Sequence, residues 1–416
     1  MISSQENKEA YVWIWLPGNT EPIVAGKLEN DGNYITFNYG KSYLNRPDAI
    51  AIYNPELPLQ SGVLPLLNGL NMPNAIRDAA PDAWGRRVII NRKMGLKGND
   101  TDTATLDEMT YLLESGSDRI GSLDFQLSPT EYIPRAAQNA TLEELLESAK
   151  RVQDGIPLSP DLDQALCHGS SIGGARPKAL IEDSGSKYIA KFSASNDTYS
   201  VVKAEYIAMR LATLCKLKVA PVKLVQALGK DVILIERFDR YKIESGWTRK
   251  SMVSALTLFG LNDMTARYAS YEDFAEIIRA RFTEPKDTLK ELFGRLVFNI
   301  LCGNNDDHAR NHAAFWNGTD LTLTPAYDIC PQQRTGNVSS QAMKIVGNNG
   351  DSQLKTCLEA AHHFLLSNEE AIEIFTTFQD IIRDNWNDVC DEASLTKIDR
   401  SFFWGRQFLN PFSIVY

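Results

Sequence analysis

The chain has 416 residues, 43 Lys and Arg against 53 Asp and Glu, a formal charge of −10 and 43% hydrophobic residues. That length accommodates roughly two to four domains or subdomains of ~100–200 residues. The acidic balance argues against a protein that grips nucleic acid through its net charge, because phosphate binding needs clustered Lys and Arg, and no apolar run reaches the ~20 residues a bilayer requires. The best such run, Leu292 to Cys302, is short and carries Arg295 and Asn299. Met1 to Ala10 is too polar for a signal peptide, which points to the cytosol. The six cysteines stand 27 or more residues apart with no C-x-x-C pair, so free buried thiols are expected in place of zinc sites or disulfides.

In chain order, Tyr11–Leu16 reads as a strand, and Tyr34–Phe37 follows an Asp31-Gly32 turn signal, giving a small opening sheet. Pro81 suits the start of a helix running to about Lys93 and closed by Gly95. Thr105-x-x-Glu108 and Thr141-x-x-Glu144 have the form of capping boxes for two further helices. The stretch 154–169, with Pro157 and Pro160, reads as a linker. Beyond it, Lys178–Glu182 and Tyr188–Ser193 flank the hairpin signal Asp183–Ser186. Val201–Leu217 has helical periodicity, and two β-like runs, Pro221–Leu228 and Asp231–Arg237, follow it. From Ser251 the pattern is mainly helical, with Ser270-x-x-Asp273 capping one helix and Thr288–Leu301 forming another, interrupted by a hairpin through Asn317-Gly318. A mixed α/β front half and a helical back half thus join near residues 238–250.

The chemistry concentrates after the apolar helix, in Asn304-Asn-Asp-Asp-His-Ala-Arg-Asn-His312. A solvated loop is the plain reading of so many turn residues. Metal ligation by His308 and His312 is a second, but the segment lacks the Glu of H-E-x-x-H and follows a helix in place of lying within one. A third uses Asp306 and Asn311, spaced as in a kinase catalytic loop, with Asp accepting a hydroxyl proton and Asn holding Mg2+. The hairpin that follows leads to Asp328, the place of a second metal ligand. Upstream, Gly169–Lys178 is a small-residue turn whose backbone N–H groups could approach phosphate, with Lys178 adding charge. Lys191 matches a strand lysine that contacts phosphates, Glu205 on the next helix is its natural ion-pair partner, and backbone groups of Glu236 and Phe238 could meet adenine.

Four ordered motifs, Ser171-Ile-Gly-Gly-Ala-Arg-Pro-Lys178, Ile235-Glu-Arg-Phe-Asp-Arg240, Asn305-Asp-Asp-His-Ala-Arg-Asn311 and Pro325-Ala-Tyr-Asp-Ile329, closely resemble those of HipA-type serine/threonine kinases, toxins of bacterial toxin–antitoxin pairs. Asp118-Arg-Ile-Gly-Ser122 looks like a motif of that family's extra N-terminal subdomain. The resemblance implies an α+β fold: a two-lobed protein-kinase-like core with an extra N-terminal α/β subdomain (1–155), a kinase N-lobe with a glycine-rich loop (156–240) and a helical C-lobe (241–416). It implies ATP and Mg2+ as cofactors, Asp306 as the catalytic residue, and Asn311 and Asp328 as metal ligands. ATP contacts would come from Ser171, Gly173, Gly174, Ala175, Lys178, Lys191, Glu236, Phe238, His308 and Tyr327. Ser171, or the adjacent Ser170, aligns with an autophosphorylation site, where about −2 of charge would repel the ATP phosphates. The implied partners are a HipB-like helix-turn-helix antitoxin, DNA through that antitoxin, and a protein substrate such as an aminoacyl-tRNA synthetase. Pro177, in the glycine-rich segment, and Asp307, after the catalytic Asp, depart from the best-known relatives. A catalytically dispensable corepressor, a small-molecule kinase of the same fold, and a metal hydrolase using Asp306, Asp307, His308 and His312 are the competing readings.

Overall fold

Alternation of apolar side chains builds the first sheet. In β1 (Glu9–Ile14) the residues Ala10, Val12 and Ile14 are buried, and β2 (Ile23–Asn30), β3 (Ile35–Tyr39), β4 (Val63–Leu64) and β5 (Leu123–Gln126) complete an antiparallel sheet in the order β4-β3-β2-β1-β5. The register pairs Val12 with Gly26 and with Phe125, and Leu28 with Phe37, so one face carries a continuous apolar layer. The computed structural model describes residues 7–67, 69–94, 102, 104, 106–135, 140–154, 156, 166, 176–194, 197–333, 336 and 338–416. Most of the expected linker, Gly95 and the glycine-rich residues Ser170, Ser171, Gly173, Gly174 and Ala175 lie outside the described residues.

The chain forms two compact units, one of Met1–Asn196, Gln226–Val253 and Trp316–Thr319, the other of Asp197–Val225, Ser254–Phe315 and Asp320–Tyr416. The first unit adds helices α1 (Ala83–Met94), α2 (Glu108–Glu114) and α3 (Leu142–Gln153). Thr141 and Glu144 make the expected reciprocal capping box on α3. The other box is corrected: α2 is capped by Asp107, whose carboxylate accepts from Thr110 N, because a carboxylate immediately ahead of the first turn serves both the orphan N–H and the helix dipole. A second sheet holds β6 (Lys178–Asp183), β7 (Ser186–Phe192) and β9 (Lys230–Glu236), with β8 (Val222–Ala227) contributing its last two residues to this unit. The β6–β7 turn places Ser184 and Gly185 at positive φ, the twist-matched two-residue hairpin that Asp183–Ser186 predicts. The stretch 238–250, expected as a joint, instead contains the hairpin β10 (Arg240–Ile243) and β11 (Gly246–Arg249).

The second unit is mainly helical. Helix α4 (Val201–Leu214) is followed by α5 (Tyr271–Arg281), whose Ser270 side chain accepts from Asp273 N as expected. Helix α6 (Pro285–Cys302) begins three residues before the predicted Thr288, because Pro285 suits a first turn whose N–H groups have no helical partner. It is buried from Leu292 to Cys302, and Phe293 packs on Phe364 and Phe375, with ring centroids 5.1 and 6.1 Å away. Arg295 inside this apolar run is satisfied by Glu291 Oε1 at 2.8 Å and the Thr324 carbonyl at 2.8 Å. Helices α7 (Leu354–Ala360) and α8 (Asn368–Glu392) complete the helical core. Strand β12 (Ser251–Ser254) contributes its last residue to this unit, and β13 (Ala313–Trp316) and β14 (Leu321–Leu323) form the expected hairpin. Among the described residues no helix is long and apolar enough to cross a membrane, and the five described cysteines are buried and free.

Candidate active site

Helix α6 ends where the polar cluster begins. Gly303 closes it at φ 72°, and a Cβ there would lie 2.7 Å from the Gln407 carbonyl oxygen, so only glycine fits this exit. Asn304 turns the chain back, its N bonding the Asn299 carbonyl at 2.8 Å and its Nδ2 the Asn299 Oδ1 at 3.0 Å. Asn305 accepts from Ala342 N at 3.0 Å and donates to Ser339 Oγ at 2.7 Å. Pinned on both sides, the loop presents two adjacent aspartates in opposite directions.

Asp306 is exposed, whereas Asp307 is only 3% exposed. The Asp306 carbonyl accepts from His308 N at 2.9 Å and from Asn311 Nδ2 at 3.2 Å, and Asn311 N bonds the His308 carbonyl at 2.8 Å in the 3-10 turn Ala309–Asn311. With its amide nitrogen so engaged, Asn311 keeps its side-chain oxygen as the group to offer a cation. Asp328 enters through a held segment: Ala326 N bonds the Lys218 carbonyl at 2.7 Å, and the Tyr327 hydroxyl donates to the Arg310 carbonyl at 2.7 Å, tying the two acidic segments together. Asp328 itself sits at φ 59°, a left-handed conformation that Asp tolerates better than most residues. Partial desolvation raises the Asp306 carboxyl above its ordinary range; His308 opposes the shift, and the nearby negative charges of Asp328 and Asp307 reinforce it. Carboxylate crowding of this kind, beside an amide oxygen, is the donor set a hard divalent cation neutralises, and Mg2+ needs only one or two such protein ligands because water and phosphate supply the rest.

Asp307 is the feature the sequence reading missed. Its carboxylate accepts from the Tyr271 hydroxyl and lies 3.1 Å from His312 Nε2, which is 3.4 Å from the same hydroxyl. Burial would raise the Asp307 carboxyl, but His312 and Tyr271 together bring it below its ordinary range. Burial and Asp307 in turn push the Tyr271 phenol well up. This corrects the metal-ligand reading of the histidine pair: His312 is 2% exposed and turned to Asp307. Among the described residues no group of three or more His, Cys, Asp or Glu side chains could hold a metal.

In the first unit Lys178 is 1% exposed, and its Nζ lies 3.1 Å from Asp82 Oδ2, a partner 96 residues upstream that the sequence reading did not foresee. Lys191 sits on β7 in register with Lys178 on β6, and Glu236 ends β9 opposite Tyr188. Glu205, in the second unit, is buried on α4. Between Glu236 and Phe238, Arg237 turns into a charged network: its guanidinium bonds Asp118 Oδ1 at 3.0 Å, Asp239 Oδ2 at 2.8 Å and the Arg119 carbonyl at 2.6 Å.

Family models agree with this architecture. The HipA-like C-terminal domain matches residues 170–386, just over half of the chain, and the HipA N-terminal domain matches residues 15–126. The chain belongs to the HipA family. Its fold is that of HipA: a solved Shewanella oneidensis MR-1 toxin–antitoxin complex of HipA, HipB and operator DNA superposes with a TM-score of 0.68 at 18% identity, covering 94% of this chain and 93% of that one. Among sequence relatives, the Sinorhizobium fredii protein named "Putative kinase Y4mE" is 25% identical over 344 residues, 76% of each chain. The Shewanella oneidensis "Serine/threonine-protein kinase toxin HipA" is 25% identical over 183 residues, 38% of this chain and 42% of that protein.

Proposed function

We propose that this HipA-family chain is an ATP- and Mg2+-dependent serine/threonine protein kinase. The observation that carries the reading is the linked pair of acidic segments: exposed Asp306, with Asn311 bonded to its carbonyl, tied through the Tyr327–Arg310 hydrogen bond to Asp328. Asp306 accepts the proton of the acceptor hydroxyl as it attacks, and its raised pKa suits a base that must hold that proton during transfer. Asn311 and Asp328 would hold the cation, which would supply positive charge to offset that of the phosphates. Lys191 and Lys178 with the glycine-rich segment bind the phosphates, and the backbone of Glu236 and Phe238 takes the adenine. His308 and Tyr327 flank the nucleotide.

The finer reading follows from the resemblance of the sequence motifs to HipA-type kinases. The substrate is a protein, an aminoacyl-tRNA synthetase being the first to test, and phosphate on Ser171 or Ser170 switches the kinase off. A HipB-like antitoxin restrains the chain and links it to DNA, a reading supported by the Shewanella structure being a complex of HipA, HipB and operator DNA. The test is to incubate the purified protein and Asp306→Ala with Mg-ATP and map phosphate by peptide mass spectrometry. Phosphate on Ser171 or Ser170 in the wild type alone supports the reading. Equal phosphate on Asp306→Ala refutes it.

A further inference from the structure

The family motif of the front domain, Asp118–Ser122, has no part in the chemistry just described. It nevertheless meets the end of β9 in a dense set of polar contacts, all within the first unit. The Asp118 carboxylate takes Arg237 Nη1 and Arg240 Nε at 3.0 Å each through Oδ1, and Lys187 Nζ at 2.7 Å through Oδ2. Asp239 Oδ2 accepts from Gly121 N at 2.9 Å, and Arg240 Nη1 returns a bond to the Gly121 carbonyl at 2.8 Å. Gly121 makes this exchange at φ 75°, a conformation other residues adopt only with strain. A further loop closes the set, since Arg237 N donates to the Lys187 carbonyl at 2.8 Å.

The consequence concerns the two backbone positions read as the adenine contacts. Glu236 and Phe238 flank Arg237, whose guanidinium is fixed on one side by Asp118 and on the other by Asp239. Arg237 is 3% exposed and Asp239 2%, so the lever is dry and short, and its geometry is set by groups with few alternative arrangements. We infer that Asp118 is a positioning residue for the nucleotide: the front domain holds the end of β9 in the shape that binds adenine. The inference rests on the kinase reading of that strand end. It gives the N-terminal domain a role in nucleotide affinity, and it gives any partner that perturbs Asp118–Ser122 a route to that affinity.

The test uses the full-length chain, Asp118→Asn, and Phe37→Leu, a core truncation in the front sheet that touches none of these groups. Calorimetric titration with Mg-AMP-PNP reads affinity, ATP kinetics separate KM from kcat, and amide exchange of the peptide spanning residues 230–240 reads the strand end without ligand. Asp118→Asn is expected to weaken AMP-PNP binding about ten-fold, a typical coupling between linked sites. KM should rise to match, kcat should hold, and exchange should quicken at residues 237–240. Phe37→Leu should lower the melting temperature yet leave all three unchanged. Equal effects from both variants, or none from Asp118→Asn, overturn the inference. A wild type that binds no AMP-PNP overturns the kinase reading instead, and unaltered exchange in Asp118→Asn would then reject the brace by itself.

Discussion

His312 Nε2 lies 3.1 Å from Asp307 Oδ2, beneath a loop whose preceding residue, Asp306, faces solvent. One peptide bond therefore separates the proposed base from a carboxylate buried with Tyr271 and His312. A buried charge is tolerated only when its hydrogen bonds are filled, and these two partners fill them. Removing the phenol in Tyr271→Phe leaves Asp307 one donor short. The expected cost is about 1–3 kcal/mol of stability, read by calorimetric unfolding, with phosphotransfer falling through kcat more than through the KM for ATP. Unchanged kcat in a folded Tyr271→Phe protein would show that Asp307 does not set the loop.

Asp328 supports two separable outcomes. Asp328→Asn keeps a side chain that tolerates φ 59° while removing the charge, so the Mg2+ concentration needed for half-maximal phosphotransfer should rise while the fold holds. Asp328→Val adds a β-branched side chain at a left-handed position and should cost a further ~1–2 kcal/mol in stability. Magnesium titrations of activity beside thermal melts distinguish the two effects. Loss of stability in Asp328→Asn equal to that in Asp328→Val would remove the case for a charge-specific role.

The Asp118–Asp239 network predicts an acid-labile joint. Burial opposes ionisation of Asp239, but Arg237 and Arg240 overcome it and bring its carboxyl from 3.8 down to about 2. A carboxyl whose folded pKa is depressed stabilises the fold above its unfolded value and loses that contribution as pH falls through the folded one. The wild type should therefore lose on the order of 2 kcal/mol from this group between about pH 4 and pH 2. Asp239→Asn should be less stable at neutral pH and lose less over that window, as acid-unfolding curves would show. Parallel curves for the two proteins would contradict the assignment.

The local elements were legible and the long-range pairings were not. Asp183–Ser186 and Thr141-x-x-Glu144 announce a turn and a cap because each motif closes within four residues. The order of Asp306, Asn311 and Asp328 is an expectation of the sequence only, and what the structure adds is the Tyr327–Arg310 hydrogen bond between their two segments. The pairing of Asp307 is not visible in the sequence because its phenol donor, Tyr271, stands 36 residues upstream, on α5. Arg237 and Asp118 are 119 residues apart, so nothing in the periodicity near either could show that they pair. Strand β12 and the β10–β11 hairpin escaped for a different reason. Their runs of four residues are too short to establish alternation.

Glu56 runs opposite to Asp239. Its carboxylate accepts from Asn74 N at 2.6 Å and Ala75 N at 2.7 Å in the first unit, yet burial outweighs these bonds and raises it from 4.5 to about 7. A carboxyl with a raised folded pKa contributes stability that is complete below its unfolded value and is lost as pH rises through the folded value. The front domain should accordingly weaken as pH climbs from about 5 to about 8. Glu56→Gln cannot ionise, so its melting temperature should be flatter across that range and should approach the wild-type value at the alkaline end. Scanning calorimetry of both proteins at intervals across the range checks this. A wild-type melting temperature that holds level there, with Glu56→Gln displaced by a constant amount, would place the Glu56 pKa back among ordinary carboxylates and leave it a simple cap of the turn at Asn74.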